Sequence, residues 1–187
     1  MTLTVIAEVG DLIVEVVQYS DDTWNADGNP ASQGVAQFRV DRNVLTKASQ
    51  PLLKMLLDPG WKEATQSVVS IGEGRVASTE IWLRVIHKAT PNLVVPFKEM
   101  WHLIAAINYY DLDVTIFNPW FAAWYSANNP QLLKPRELLF PTWHFDHAKG
   151  FARWTRYLAY EVKGHITEGN PTKLYNYHLP PRIIRKP

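Results

Sequence analysis

The hydrophobic pattern changes period once, and abruptly, between residues 35 and 57. Ala36, Phe38 and Val40 alternate with Gln37, Arg39 and Asp41, which is the period of a strand with one buried face. Val44, Leu45, Ala48, Leu52, Met55 and Leu56 then recur three to four residues apart, the period of a helix. Ser49, followed by Gln50 and Pro51, divides that run, because a serine cap and a first-turn proline start a second helix.

Around this switch the pattern predicts further elements in order. Residues 2–9 are short, alternating and β-prone, an edge strand ended by Gly10. Residues 11–19 (DLIVEVVQY) are apolar on nearly both faces, with Glu15 the exception, and predict a strand buried in a sheet. The polar, turn-rich residues 21–34 predict an exposed connector. Asp58, Pro59 and Gly60 stop the second helix, and residues 66–71 (QSVVSI) predict a further strand. Ser78 is the expected cap of a helix carrying Ile81, Trp82, Val85 and Ile86, which Thr90, Pro91 and Asn92 end.

The remainder reads as helix and loop. Pro96 starts a helix with Met100, Leu103, Ile104 and Ile107 inward, and Asn118 and Pro119 start the next, stopped by Asn128, Asn129 and Pro130. A short helix is expected near residues 136–140. A longer one follows from about Ala148 to Val162, with Phe151, Trp154, Thr155, Leu158 and Val162 sharing a face. Residues 164–171 predict a loop, and Pro180 and Pro181 the start of a helix that the last residue, Pro187, leaves short, as in a truncated chain. Mixed strands and helices followed by helices alone predict an α+β fold: a small sheet flanked by helices over residues 1–127, then an all-helical extension over 128–187.

Composition narrows the function. The 187 residues are 47% hydrophobic and 12% aromatic, ample for a packed core, and 19 basic against 18 acidic residues leave a net charge of +1, no excess to hold a nucleic-acid backbone. Cysteine is absent, which removes disulfides, thiolate metal sites and cysteine nucleophiles together. No apolar run approaches the roughly 20 residues that cross a bilayer, and residues 1–10 lack a charged leader segment. The expectation is an intracellular protein, nuclear or cytoplasmic, with no membrane partner.

Candidate chemistry is sparse. Trp143-His144-Phe145-Asp146-His147 could hold a metal or do acid–base work, but two histidines three apart supply only two ligands, and Asp146 reads as the cap of the following helix. His87 and His102 lie beside apolar stripes as structural histidines. Ser49 lacks the flanks of a nucleophile elbow. Trp120, Phe121, Trp124 and Tyr125 cover more than one face of a helix and read mostly as core, so that any exposed remainder is an interface candidate, Trp120 and Trp124 foremost. Lys149, Arg153, Arg156 and Lys163 recur along one helix as a solvated basic face, which Arg182, Arg185 and Lys186 extend weakly. No catalytic residue, cofactor site or metal site is assigned.

Residues 10–16 (GDLIVEV), then Phe38-x-Val40, Val44-Leu45, Ala48-Ser49-x-Pro51-Leu52 and Met55-Leu56, form an ordered series that resembles the BTB/POZ domain. Trp61-Lys62-Glu63, Leu83-Arg84-Val85-Ile86-His87, residues 105–111 (AAINYYD) and the tail over 139–184 resemble uncharacterised fungal members with a helical C-terminal extension. The resemblance implies a non-catalytic protein–protein interaction module that forms homo- or hetero-oligomers. It places Asp11 and Arg42 where dimeric members keep an aspartate and a basic residue near the dimer pocket. An adaptor for a cullin-3 ubiquitin ligase is one alternative, and a metal protein or enzyme centred on His144 and His147 another. Leu52 departs from the usual phenylalanine, only ten residues precede Asp11, and no hydrophobic-x-glutamate element is evident, so the pattern supports neither a swapped dimer nor cullin-3 binding.

Overall fold

The computed structural model describes residues 3–27, 30–73, 75–89, 94–128, 134–163, 166, 168–172 and 174–180. The fold is α+β, with four strands and seven α-helices among the described residues. The strands are β1 (Leu3–Val5), β2 (Leu12–Trp24), β3 (Pro30–Val40) and β4 (Val68–Glu73). The helices are α1 (Arg42–Ala48), α2 (Gln50–Leu57), α3 (Val76–Ile86), α4 (Phe97–Tyr109), α5 (Asn118–Ala127), α6 (Pro135–His144) and α7 (Ala148–Tyr160). Single 3₁₀ turns lie at Lys62–Thr65 and Val114–Phe117. The stop signals at residues 90–92 and 129–130, the helix expected from Pro181, and Arg182, Arg185 and Lys186 fall outside the described residues.

The chain packs as two units, residues 1–92 with 106–113, and residues 93–105 with 114–187. This division differs from the expected boundary at 127/128: α5 packs with α6 and α7, and the last residues of α4 belong with the sheet.

In the first unit the strand order is β1-β3-β2-β4, with β2 antiparallel to β3 and both outer strands parallel to their neighbours. Alternation along β2 turns Leu12, Val14 and Val16 into the core, where Val14 pairs with Phe38 on one side and Val69 on the other. Leu45, Leu52, Leu56, Ile81 and Trp82 are buried with them. Gly10 approaches the β3 backbone so closely that a Cβ there would lie 2.5 Å from the Val40 carbonyl oxygen, which no side chain can tolerate without moving a strand.

The strand-to-helix switch forms as the pattern predicts. Asp41 caps α1 by accepting from the Asn43 N–H (2.8 Å), and Ser49 caps α2 by accepting from the Leu52 N–H (3.1 Å). Ser49 is buried and donates its own hydrogen to the Tyr110 carbonyl, while the Tyr110 hydroxyl donates to the Ile71 carbonyl of β4. One serine therefore caps a helix and anchors the segment that follows α4. Ser49→Ala leaves both groups without that partner and is expected to cost about 1–2 kcal/mol, read as a lower urea midpoint; an unchanged midpoint would remove this dual role.

Two expectations are corrected here. Residues 21–34 are not a free connector, because β2 runs on to Trp24 and β3 begins at Pro30, with irregular register between Gln18 and Trp24. The helix assigned to a Ser78 cap begins earlier, at Val76, and the Val76 N–H donates to the Gln18 side chain of β2 (3.0 Å). A neighbouring strand supplies the acceptor that the helix's own sequence was expected to provide.

The second unit is built on aromatic contacts. Phe121 stacks on Phe145 (4.6 Å between ring centroids), Trp101 on Phe140 (5.3 Å) and Phe97 on Trp124 (6.1 Å). Tyr177 stacks on Phe140, and the Tyr175 hydroxyl meets His102 Nδ1 at 2.7 Å, so residues 174–179 are packed without regular structure. Helix α6 extends through Pro141 to His144, beyond the expected end near residue 140. Asn118 is the first residue of α5 rather than its cap; its carboxamide, oriented as its neighbours require, donates to the Val114 and Phe145 carbonyls.

Candidate interaction surface

Arg42, the first residue of α1, lies beside Asp11, whose Oδ1 accepts the Arg42 backbone N–H at 2.9 Å. The side-chain contact between them is loose, 3.9 Å from Nε to Oδ2. The guanidinium turns inward. It donates to the carbonyls of Leu56 (3.1 Å), Glu63 (3.4 Å), Ala64 (3.3 Å) and Gln66, fastening the end of α2 and the 3₁₀ turn to the start of α1. The expectation that Arg42 faces a partner is therefore revised: its donors are engaged by its own chain, and its side chain is only 16% exposed against 59% for Asp11. A guanidinium suits this task, because its fork can serve several carbonyls at once.

Exposed apolar residues lie close in sequence to the residues of this clamp. Val9, Leu57, Trp61 and Val68 are exposed, Val9 almost completely at 92%. Each lies within two residues of a group that touches the pair: Val9 of Asp11, Leu57 of Leu56, Trp61 of Glu63, and Val68 of Gln66. Glu8, Asp58 and Lys62 are exposed in the same stretches, so apolar and charged side chains alternate here, a mixture also found at protein interfaces.

The tryptophans expected at an interface are interior. Trp120 is 6% exposed and Trp124 fully buried, with its Nε1 donating to the Val95 carbonyl at 3.2 Å. With Phe121 and Tyr125 also buried, the set is core and leaves no exposed remainder on α5, so neither tryptophan stands as an interface candidate. The aromatic density that marked them belongs to the packing of the second unit.

The histidines are separated in role. His87 donates from Nδ1 to the Leu83 carbonyl (2.7 Å) and accepts the Asp41 N–H at Nε2 (3.1 Å), a structural bridge between α3 and α1. His144 is held against Phe140 and Phe145, its Nε2 buried and unpartnered, and burial pushes its pKa down to about 4. His147, not Asp146, caps α7: its Nδ1 accepts the Gly150 N–H at 3.0 Å, and Asp146 takes the left-handed turn before it (φ 48°). Burial lowers the His147 pKa as well, with Lys149 adding to the effect. A Cβ on Gly150 would lie 2.5 Å from that same nitrogen, so the cap requires glycine there. Among the described residues no three histidine, aspartate or glutamate side chains gather as metal ligands, and no helix is long and apolar enough to cross a membrane.

The outer face of α7 forms an open groove of about 1150 Å³, lined by Lys149, Arg153, Arg156, Tyr157, Tyr160 and Glu161, among others. The Arg153 guanidinium lies 4.8 Å above the Trp154 ring. The basic spacing was legible in the sequence. The two tyrosines were not singled out there, although Tyr157 and Tyr160 stand four and seven residues after Arg153, on the same face.

No family model matches the chain, and no curated protein sequence matches it.

Proposed function

We propose that the protein is a non-catalytic protein–protein interaction module of the BTB/POZ kind, and that it associates with itself through the surface around Asp11. The observation that carries this reading is the exposed Asp11 carboxylate beside Arg42, the two positions that the BTB resemblance places near the dimer pocket, with exposed Val9, Leu57, Trp61 and Val68 close in sequence to the residues that hold them. A small sheet flanked by helices, with the strand-to-helix switch at its centre, supports it. Arg42 then builds the platform, and the apolar rim and the exposed Asp11 carboxylate make contact.

Light scattering at tens of micromolar tests the reading. The native chain is expected to exceed monomer mass, and Val9→Glu with Trp61→Glu to return it to monomer without altering its circular dichroism, since both residues are more than half exposed. A native chain that stays monomeric throughout removes self-association. Adaptor function for a cullin-3 ligase is an alternative that co-purification with cullin-3 would decide.

A further inference from the structure

We propose that the groove on the outer face of α7 is a docking site for an acidic peptide segment of a partner protein, with carboxylates over Lys149, Arg153 and Arg156 followed by an apolar or aromatic residue against Tyr157 and Tyr160. The groove shares no residue with the surface around Asp11, and its assignment does not rest on the reading of that surface.

The charge is arranged along the helix and not spread evenly. Lys149, Arg153 and Arg156 occupy the first two-thirds of α7, about 10 Å of helix at 1.5 Å per residue. Tyr157 and Tyr160 occupy its last turn, and Glu161 is its C-cap. None of the three cations is matched by an ion pair among the described residues. The first turn of α7 carries no acidic side chain, so the positive end of the helix dipole adds to the field at Lys149. Arg153 is held in place by its stacking on Trp154, which is 3% exposed, so part of the ordering that binding a carboxylate requires is already present. Tyr160 is 82% exposed and Tyr157 43%, amphipathic side chains of the type that anchor peptide ligands.

Three observations select a peptide over other anions. The chain as a whole carries a net charge of only +1, too little to draw in a polyanion. Glu161 sits at the tyrosine end, where a continuous phosphate backbone would meet it, whereas a segment that is acidic at one end and apolar at the other would not. A bilayer requires an exposed apolar face on the helix; of the large apolar residues of α7, Trp154 and Leu158 are buried within the unit and Phe151 is half-buried.

Fluorescence anisotropy with a labelled peptide of glutamates followed by tryptophan, at low salt, tests the assignment. The native chain is expected to bind it and to lose affinity as salt rises. Lys149→Glu with Arg156→Glu, both at exposed positions, is expected to weaken binding at least about tenfold, and Tyr160→Ala at least about threefold. Lys47→Glu, an exposed charge reversal in the first unit, should leave it unchanged. No binding by the native chain, equal loss in the Lys47 variant, full retention in the α7 variants, or preference for a labelled single-stranded oligonucleotide over the peptide would each overturn the proposal.

Discussion

Replacing Arg42 with methionine is expected to lower the unfolding free energy by about 2–4 kcal/mol, several times the effect of Asp11→Asn. Methionine keeps most of the aliphatic stem and removes the guanidinium, so the carbonyls of Leu56, Glu63, Ala64 and Gln66 lose their shared donor together. Hydrogen bonds from a charged donor contribute about 1.5–3 kcal/mol each in favourable settings, and the 16% exposure of this side chain lets water recover part of that total. Asp11 is more than half exposed and 3.9 Å from the guanidinium, so its charge adds under about 1 kcal/mol to the fold. Urea denaturation of the two variants decides the matter. If Asp11→Asn proves the more damaging, the carbonyl clamp is not what holds α2 to α1.

Acidification is expected to weaken the second unit through His144. The free imidazole protonates near pH 6.5 and the folded one only near pH 4, because its Nε2 is buried with no acceptor in reach. Above pH 6.5 both forms are neutral and this residue makes stability independent of pH. Below it the unfolded chain binds a proton that the folded chain refuses, so stability falls as pH drops and the loss levels off below about pH 4. The full loss amounts to roughly 3 kcal/mol. His147 acts in the same direction, since burial lowers its pKa and a protonated Nδ1 could no longer accept the Gly150 N–H. His144→Phe places a third ring among Phe140 and Phe145 and should flatten the stability profile between pH 6.5 and 4 relative to the native chain. Parallel profiles for the two proteins would show that His144 does not refuse the proton.

The sequence disclosed most where one residue's neighbours in space were its neighbours in the chain. The alternation through Phe38 and Val40, the period from Val44 to Leu56 and the Ser49 cap are local features, and each forms as its pattern predicts. Cap assignments failed where the acceptor came from elsewhere or from an unusual side chain: Gln18 of β2 receives the Val76 N–H, and an imidazole starts α7 where an aspartate was expected. The outer half of the β2–β3 hairpin escaped detection because Thr23, Trp24, Ser32 and Gln33 are all exposed, and strand residues with no buried face carry no alternation to read. Arg42 was legible as a residue of interest and misread in role, since a backbone carbonyl has no sequence signature. The α7 groove was half legible: the cations stood out by charge, while the tyrosines, which give the face its character, looked like ordinary amphipathic residues.

The segment at residues 106–113 belongs with the first unit, bolted there by the two hydrogen bonds of Tyr110 to Ser49 and Ile71, yet residues 93–105 before it belong with the second. On the ribosome, then, the sheet unit stays unfinished after its own strands and helices have emerged, until Tyr110 has left the exit tunnel. No single uninterrupted stretch of the gene encodes either unit. Neither can be cut out as a cassette and moved to another protein, so insertion and shuffling at residue 92 or 113 act on both units at once.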